Sequence, residues 1–411
     1  MTRLPASPSP SAARIVLVCG LSLFIIFGIR LSFSVFFAEF VLAEGWSSEA
    51  AATIFSLNML VFAVTAPLAG IALDRYGPRP VFGLGACLMA GGLWLCSEAR
   101  ALEDLRLAYG LVVGAGLGIT GLGPQASVVA GWVGPARRGR ALGIAFAGTG
   151  AGSLAFVPLA NGLIARYDWR SAYLALALVC LLLLLPLMTV GLRRPPVRAR
   201  TPSRVAQATG NWRALLRMRS FWALMLVGLT ALGPLRSLTV HQVALMESAG
   251  VERSLAAAVV GIAGLLASLG FVAMGWFSDL YGRTSAFSIG AAGLLGAVAL
   301  LLAIQAGASA GLLFAYAVLY ALGESTRSSQ STALASDIFQ QQGLGRINGL
   351  VGGMFGLGAA LGPWLVGRIH DDSGSYAGGL LLVAAMVLVS LVAFVMAGQG
   401  AKGRKVPLPQ K

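Results

Sequence analysis

Three arginines and one glutamate lie well inside long apolar stretches of the sequence, away from their ends, namely Arg30, Arg236, Arg327 and Glu324. A charged side chain at the centre of a bilayer-spanning helix costs about 2.5–3.5 kcal/mol on insertion scales, and it is usually tolerated beside a water-filled cavity or an opposite charge. Arg327 follows Glu324 by three residues, the spacing of neighbours on one helix face, which predicts an ion pair between them. Arg30 and Arg236 are then left without a carboxylate partner, so their guanidinium groups could bind the carboxylate of an anionic solute.

Each of these roles has a structural alternative. Arg30 and Arg236 could instead order the helices by binding backbone carbonyls, and Arg327 could contact the solute rather than Glu324. Glu324 is the only acid well inside an apolar run, away from its ends, so it could carry a proton or be held in a fixed ion pair. His241, five residues after Arg236, could also carry a proton, or it could be a hydrogen-bonded helix side chain.

Four uncharged polar residues complete the candidate site. Gln125 and Gln330 could bind the solute through hydrogen bonds, or they could join neighbouring helices. Ser34, one helical turn after Arg30, and Asn58 could line the same cavity, with the same alternative. All four are therefore candidates for solute binding.

These residues belong to a chain that is too apolar for a soluble globule. Of its 411 residues, 57% are hydrophobic and 11% are charged, which leaves too few polar side chains to cover a folded surface. Twelve apolar runs have lengths near or above the roughly 20 residues that a helix needs to cross a bilayer. They are 15–40, 50–72, 81–96, 105–130, 139–164, 171–192, 221–247, 255–277, 286–304, 309–335, 346–369 and 376–396. Strand-like alternation is absent, so the sequence predicts an all-α membrane protein with twelve transmembrane helices.

The distribution of charge predicts the orientation of these helices. The segments after even-numbered runs, together with both ends of the chain, hold 21 of the 30 Lys and Arg residues and three acids, whereas the segments after odd-numbered runs hold six Arg and eleven acids. Basic segments stay in the cytoplasm, so we expect both termini on the cytoplasmic side of a bacterial-type inner membrane. The net charge of +15 is therefore mostly a topology signal, and we expect membrane lipid but no nucleic acid as a partner.

A long basic break divides the chain into two halves. The expected organisation is a disordered cytoplasmic tail, two six-helix bundles joined by a basic cytoplasmic linker, and a second cytoplasmic tail. The boundaries are 1–13 for the first tail, 14–192 for the N-terminal bundle, 193–220 for the linker, 221–398 for the C-terminal bundle and 399–411 for the last tail. The four cysteines show no paired spacing, so we expect free thiols and neither a metal nor another cofactor.

The two halves repeat each other at an offset of 205 residues. This offset aligns Gly275, Asp279 and Gly282 with Gly70, Asp74 and Gly77, and likewise Pro363 with Pro158, Gln330 with Gln125 and Gly250 with Gly45. A constant offset across six helices indicates an internal duplication. Because each repeat has an even number of helices, both repeats cross the membrane in the same orientation. The solute site is then expected between them, near the midplane of the membrane. Arg30 then aligns with Leu235, so Arg30 and Arg236 reach a similar depth from opposite halves.

A sequence motif connects these halves to a known family. The pattern Gly-x-x-x-Asp-Arg-x-Gly-x-Arg consists of Gly70, Asp74, Arg75, Gly77 and Arg79, and its partial copy retains Asp279 and Arg283. With two halves of six helices, this pattern resembles the major facilitator superfamily. The resemblance implies two pseudo-symmetric bundles that rock about a central cavity, with the motif residues latching one conformation at the cytoplasmic surface. For each arginine taken singly, a topology anchor is the alternative.

A finer resemblance concerns the stretches "GIRLSFSVFF" and "GWVGPARRGRALGIAFAGTGAGS". They are similar to the branch of monocarboxylate carriers and oxalate/formate exchangers, whose members move small carboxylates, often with protons. The eighth run departs from the animal monocarboxylate carriers, because it lacks their Asp and Arg pair. The resemblance therefore does not carry their proton relay over to this chain.

These observations predict a transporter rather than an enzyme. We expect a secondary active transporter, a monomer, that moves a small monocarboxylate-like anion by alternating access, with either proton symport or anion exchange. Two alternatives stay open, namely an exporter of larger amphipathic compounds and a receptor that binds solute without moving it. Counterflow and competition experiments separate them. Catalytic motifs such as HExxH or a nucleophile elbow are absent from the sequence.

Overall fold

The computed structural model describes residues 10–133, 135–192, 216–307, 309–338 and 344–402. Ten uninterrupted long helices occur within these residues. They are α1 (Pro10–Leu42), α2 (Ser48–Tyr76), α3 (Pro78–Ser97), α5 (Pro135–Arg166), α7 (Arg219–Ser248), α8 (Arg253–Tyr281), α9 (Arg283–Ala306), α10 (Ala310–Ile338), α11 (Leu344–Ser373) and α12 (Tyr376–Lys402). Two further long helices contain π-helical stretches.

The helix α4 covers residues 102–132 and α6 covers residues 169–191, each in consecutive segments. The segments of α4 are Leu102–Leu105, the π-helical Arg106–Val113, Gly114–Thr120 and Leu122–Trp132, and those of α6 are Trp169–Val179, the π-helical Cys180–Leu184 and Leu185–Gly191. A π-helical stretch disturbs the regular backbone ladder. In α4, the Asn58 side chain donates to the carbonyl oxygen of Tyr109 at 2.8 Å, which satisfies an acceptor within the disturbed stretch.

Eleven of the described helices are long and apolar enough to cross a membrane. The prediction of an all-helical membrane protein is therefore confirmed, although eleven helices rather than twelve meet this criterion. The helix α10 is the exception among the long helices. It has 29 residues, but the polar sequence "ESTRSSQST" lowers its hydropathy.

Three helix ends differ from the predicted boundaries. The helix α1 begins at Pro10, within the predicted tail 1–13, because proline is well tolerated in the first turn, where its missing N–H is not needed. The helix α7 begins at Arg219, within the predicted linker 193–220, and α12 ends at Lys402, beyond residue 398. Most of the linker, residues 193–215, and the last residues, 403–411, lie outside the described part of the chain.

The packing of the helices repeats between the two halves. In the first half α1 packs on α5, α2 on α4, and α3 on α4 and α6; in the second half α7 packs on α11, α8 on α10, and α9 on α10 and α12. The halves meet where α2 contacts α11, α5 contacts α8 and α1 contacts α7. The turns repeat as well, because Gly45 and Gly250 have φ values of 71° and 84°, and Gly77 and Gly282 have values of 84° and 92°. Such positive φ values favour glycine, so the 205-residue repeat is also present in the backbone.

Close contacts between helix backbones depend on glycine at two related places. A Cβ atom on Gly152 of α5 would lie 2.0 Å from the carbonyl oxygen of Phe24 in α1, and one on Gly358 of α11 would lie 1.9 Å from that of Leu229 in α7. Both distances are shorter than van der Waals contact, so each glycine allows a backbone approach that alanine would prevent.

Replacing Gly152 with alanine should therefore separate α1 from α5. We expect Gly152→Ala to lower the stability of the detergent-solubilised protein by about 1–3 kcal/mol, because overpacking forces backbone shifts. Gly143→Ala in the same helix is the matched control, since a Cβ there meets nothing within 4 Å, and it should be neutral or stabilise by about 0.5–1 kcal/mol. Scanning fluorimetry of both variants checks the prediction, and equal melting temperatures would contradict it.

Candidate functional site

A cavity of about 320 Å³ lies between the two halves of the chain. Its walls come from α1, α2, α4 and α5 of the first half and from α7, α8, α10 and α11 of the second. Arg30, Arg236 and Glu324 line it, together with several aromatic and small polar side chains. This position matches the site expected between two parallel repeats.

Arg236 and Glu324 form an ion pair in the cavity wall. The Nη2 atom of Arg236 donates to Oε1 of Glu324 at 2.5 Å, and the two side chains are 11% and 20% exposed. The hydroxyl of Tyr320 donates to Oε2 of Glu324 at 3.3 Å and lies 2.8 Å from the hydroxyl of Thr239. Both carboxylate oxygens of Glu324 therefore have hydrogen-bond donors.

This pairing corrects two predictions. Glu324 was expected to pair with Arg327, and Arg236 was expected to lack a protein carboxylate. Arg327 lies three residues after Glu324 on α10, but its side chain points to the other side of the helix, towards α9 and α12. The long Arg236 side chain instead reaches Glu324 from α7 across the cavity wall.

Arg327 lies inside the second half and does not line the cavity. Its side chain is fully buried, it hydrogen-bonds to the hydroxyl of Ser390, and its guanidinium carbon lies 4.6 Å from the centre of the Phe287 ring. Its Nε and Nη2 atoms have no hydrogen-bond partner among the described residues. The contact with the ring partly compensates for burial of this charge, so the placement favours a structural role for Arg327.

Arg30 lines the cavity without a carboxylate partner in the described part of the chain. It is only 9% exposed, and its Nη2 atom lies 3.1 Å from the sulfur of Met59. Its guanidinium carbon lies 5.5 Å and 5.1 Å from the ring centres of Phe27 and Phe62, while its Nε atom has no hydrogen-bond partner among the described residues. Aromatic rings attract a cation but do not neutralise it, so Arg30 retains the capacity to bind an anion.

His241 does not line the cavity and is held by backbone and aromatic contacts. Its Nε2 atom lies 2.9 Å from the carbonyl oxygen of Pro363, and its ring packs edge-on against Phe37 and Tyr376 at centroid distances of 4.6 Å and 5.6 Å. A carbonyl oxygen only accepts hydrogen bonds, so Nε2 carries a proton here. This environment fits the alternative of a hydrogen-bonded helix histidine.

The two glutamines join helices instead of lining the cavity. Ser22 of α1 donates to Oε1 of Gln125 at 3.0 Å, and Nε2 of Gln125 donates to the carbonyl oxygen of Thr120 at 2.7 Å. Ser278 of α8 donates to Oε1 of Gln330 at 2.6 Å. Both glutamines are buried, so these contacts favour helix packing over solute binding.

Ser34 and Asn58 are likewise outside the cavity wall. The hydroxyl of Ser34 donates to the carbonyl oxygen of Leu31 at 3.0 Å, and Asn58 is occupied with α4, as described above. The sequence reasoning missed the polar residues that do line the cavity, namely Thr149, Ser153, Gln242, Ser268, Tyr320 and Ser328. In the sequence, Gln242, Tyr320 and Ser328 lie near Arg236 or Glu324, and Thr149 and Ser153 lie in the glycine-rich stretch of α5, whereas Ser268 has neither signal.

The motif residues lie at the ends of α2 and α8 and at the starts of α3 and α9. Nε of Arg79 donates to the carbonyl oxygen of Leu192 at 2.7 Å, and Arg283 pairs with Asp279 at 2.8 Å. Arg75 lies 5.3 Å from the centre of the Tyr76 ring. The remaining motif positions are Gly70 and Asp74 in the last turns of α2, and Gly77, which connects α2 to α3. The contact of Arg79 holds α3 to the end of α6, within one half.

The two halves are joined at the face where α2 begins and α11 ends. The two carboxylate oxygens of Asp371 accept from the backbone N–H groups of Ser48 and Glu49 at 2.9 Å and 2.6 Å, so Asp371 caps α2 from the other half. Trp364 donates to Glu49 at 2.8 Å, and Ser56 donates to the carbonyl oxygen of Ala360 at 2.5 Å. We call this the closed face, because these contacts join α2 and α11 of the two halves there.

Replacing Asp371 with asparagine should weaken the closed face. The charge-assisted bonds to the N-terminus of α2 are lost, so we expect a Ser56→Cys probe to react about threefold faster or more with an impermeant maleimide. The experiment uses a Cys87→Ser background, because Cys87 is exposed. Asp372→Asn is the matched control, since Asp372 is 74% exposed and its ion pair in the described part of the chain is with Arg368 at 3.8 Å. Equal labelling rates in the two variants would contradict the capping role.

Comparisons with known proteins agree with this architecture. A family model described as Major Facilitator Superfamily matches residues 18–304 and 237–411. The chain is 30% identical over 384 residues to monocarboxylate transporter 13 of Rattus norvegicus, which covers 90% of this chain and 86% of that protein. It is 24% identical over 397 residues to the uncharacterized MFS-type transporter YcxA of Bacillus subtilis (strain 168), with 92% of each chain covered.

Solved structures share the fold at lower sequence identity. A bacterial homolog of the human lysosomal transporter Spinster, in an inward-facing and occupied conformation, has a TM-score of 0.73 at 16% identity and covers 98% of this chain and 100% of that chain. The nucleoside transporter NupG has a TM-score of 0.70 at 14% identity, with 94% and 99% covered. The predicted resemblances to the superfamily and to monocarboxylate transporters are thus confirmed. This multi-pass membrane protein belongs to the Major Facilitator Superfamily and is related to the monocarboxylate transporters.

Proposed function

We propose that the protein is a secondary active transporter that moves a small monocarboxylate-like anion by alternating access. The observation that carries this proposal is Arg30, a buried cation that lines the central cavity without a carboxylate partner among the described residues. An unpaired charge at this depth is costly unless a ligand neutralises it during function. The names of the related monocarboxylate transporters support the same class of solute.

The moving parts would be two six-helix bundles, α1–α6 and α7–α12. In this proposal α10 is the twelfth transmembrane helix, and its polar face is tolerated because it lines the cavity. The repeated packing within each half and the few helix pairs between halves support this division. The bundles would separate at the closed face and approach each other at the other face, where the motif residues would latch the alternate state.

The charge distribution supports an orientation with both termini in the cytoplasm. The basic segments then lie inside, and the closed face lies outside. The cavity would accordingly be reached from the cytoplasm in this conformation. A bacterial-type inner membrane is the expected location.

The anion would bind to Arg30 and compete with Glu324 for Arg236. Glu324 released from Arg236 would either take up a proton, which gives proton symport, or remain ionised until the anion is exchanged for another. Glu324 is the one carboxylate in the described lining of the cavity, so it is the candidate for either coupling. A pH gradient imposed across proteoliposomes separates the two, because symport is driven by it and one-for-one exchange of equal anions is not.

Counterflow in proteoliposomes tests the transport proposal. Vesicles loaded with an unlabelled monocarboxylate should transiently accumulate the labelled one, and Arg30→Gln vesicles should not. Binding without counterflow would identify a solute receptor and would reject transport.

An exporter of larger amphipathic compounds is the second candidate function. It is favoured by the rings of Phe27, Phe62, Phe271 and Phe355 in the cavity wall, since exporters of this kind recognise shape and apolar surface. Inhibition of counterflow by many unrelated hydrophobic cations would support this candidate. Insensitivity to such cations would support the anion transporter.

A further inference from the structure

The charges that line the cavity do not balance. Arg30, Arg236 and Glu324 are the ionisable Arg and Glu residues in its described lining, and together they leave one positive charge. The Arg236–Glu324 pair is internally neutral, so the excess charge belongs to Arg30. One monoanion neutralises this cavity, whereas a dianion would bring an unbalanced negative charge into a largely buried site.

The volume of the cavity limits the size of the solute. At about 320 Å³, it is at the lower end of the range of about 300–1,000 Å³ for small-molecule sites. Acetate or lactate would leave most of this cavity empty. Benzoate or phenylacetate would fill more of it, because the six-membered ring adds apolar volume.

Aromatic rings from both halves form part of the cavity wall. Phe27 and Phe62 lie next to the Arg30 guanidinium, and Phe271 and Phe355 belong to α8 and α11 in the other half. An aromatic body between these rings would gain apolar burial and ring contacts that a two- or three-carbon acid cannot make. Arg236 and Tyr320 are both bonded to Glu324, so Arg30 is the charged group in the described lining that is left for the carboxylate of the solute.

We infer that the solute is an aromatic monocarboxylate of about the size of benzoate or phenylacetate, with its carboxylate on Arg30 and its ring between the phenylalanines of both halves. This inference rests on the proposed function as an anion transporter. It deepens that proposal by excluding dianions and two- or three-carbon acids as the preferred solutes.

Binding to the purified full-length protein tests the inference independently of transport. Isothermal titration would compare benzoate and phenylacetate with acetate and lactate, with the dianion phthalate, and with the uncharged isostere benzamide. We expect the aromatic monoanions to bind about tenfold more tightly or better than acetate and lactate, because of the additional apolar burial. Benzamide and phthalate should bind at least about tenfold more weakly than benzoate.

Two variants separate the contribution of the ring contacts from that of the charge. Phe271→Leu should weaken benzoate binding about three- to tenfold and weaken lactate binding less, because lactate has no ring to contact Phe271. Phe314→Leu is the matched control, since Phe314 lies on α10 and is 60% exposed. Glu324→Gln should shift the preference from benzoate towards phthalate, because it leaves two positive charges in the cavity.

The outcomes distinguish this inference from the proposed function. If lactate or acetate binds as tightly as benzoate, the inference fails while anion transport stands. Tight benzamide binding would show that the charge count does not select the solute, which also overturns the inference. If benzoate binds with the expected preference but shows no counterflow, the solute class is supported and transport is rejected.

Discussion

Arg30→Gln is expected to weaken binding of the anionic solute by at least about thirtyfold and to leave the fold intact. Truncating one partner of a buried, hydrogen-bonded charge pair costs about 2–5 kcal/mol of binding energy, and Arg30 supplies the unpaired charge of the cavity. The stability should change by less than about 1 kcal/mol, because no carboxylate in the described part of the chain depends on Arg30. Isothermal titration with benzoate and scanning fluorimetry measure the two effects.

Two further variants make this prediction specific. Arg30→Lys keeps the charge but lacks the planar fork, so its affinity should be intermediate. Arg166→Gln is the matched control, because Arg166 lies at the end of α5 and contacts the ring of its neighbour Tyr167. Unchanged benzoate affinity in Arg30→Gln would remove the basis of the proposed site.

Glu324→Gln is expected to destabilise the protein by about 2 kcal/mol or more, since it leaves Arg236 buried without a counter-ion. Arg236→Gln should be destabilising for the same reason, because it leaves the Glu324 carboxylate without its partner. The variant that carries both substitutions should lose less than half of the stability that the two single variants lose in sum, because neither charge is then unpaired. The coupling energy from this double-mutant cycle measures the ion pair.

The double variant also tests whether the charge of Arg30 is sufficient to bind the solute. Removing both members of a neutral pair leaves the charge of Arg30, so the double variant should still bind benzoate, although transport coupling through Glu324 would be lost. The melting temperatures of the four proteins in detergent, with benzoate titrations, provide the data. Strictly additive losses of stability would mean that Arg236 and Glu324 do not interact.

The residual charge of the cavity could not be deduced from spacing along the chain. The three-residue spacing of Glu324 and Arg327 predicted a pair, and counting charges then left Arg30 and Arg236 unpaired. The prediction was wrong for Arg236, which pairs with Glu324 because Arg327 points away from the cavity towards Phe287. Helix spacing brings residues near one another on α10, but the neighbouring helices determine which partner is reached.

The sequence by itself determined the membrane class, the internal repeat and the superfamily. These properties follow from local hydrophobicity, from glycine and charge at constant spacing, and from the motif after α2, all of which are readable along one chain. Only the tertiary structure decided which polar residues line the cavity. Gln125, Gln330 and Asn58 joined helices, while Tyr320 and Ser268 faced the centre. The physical reason is that a helix has several faces. Which face lines the cavity depends on how the helix packs against segments that are distant in the sequence.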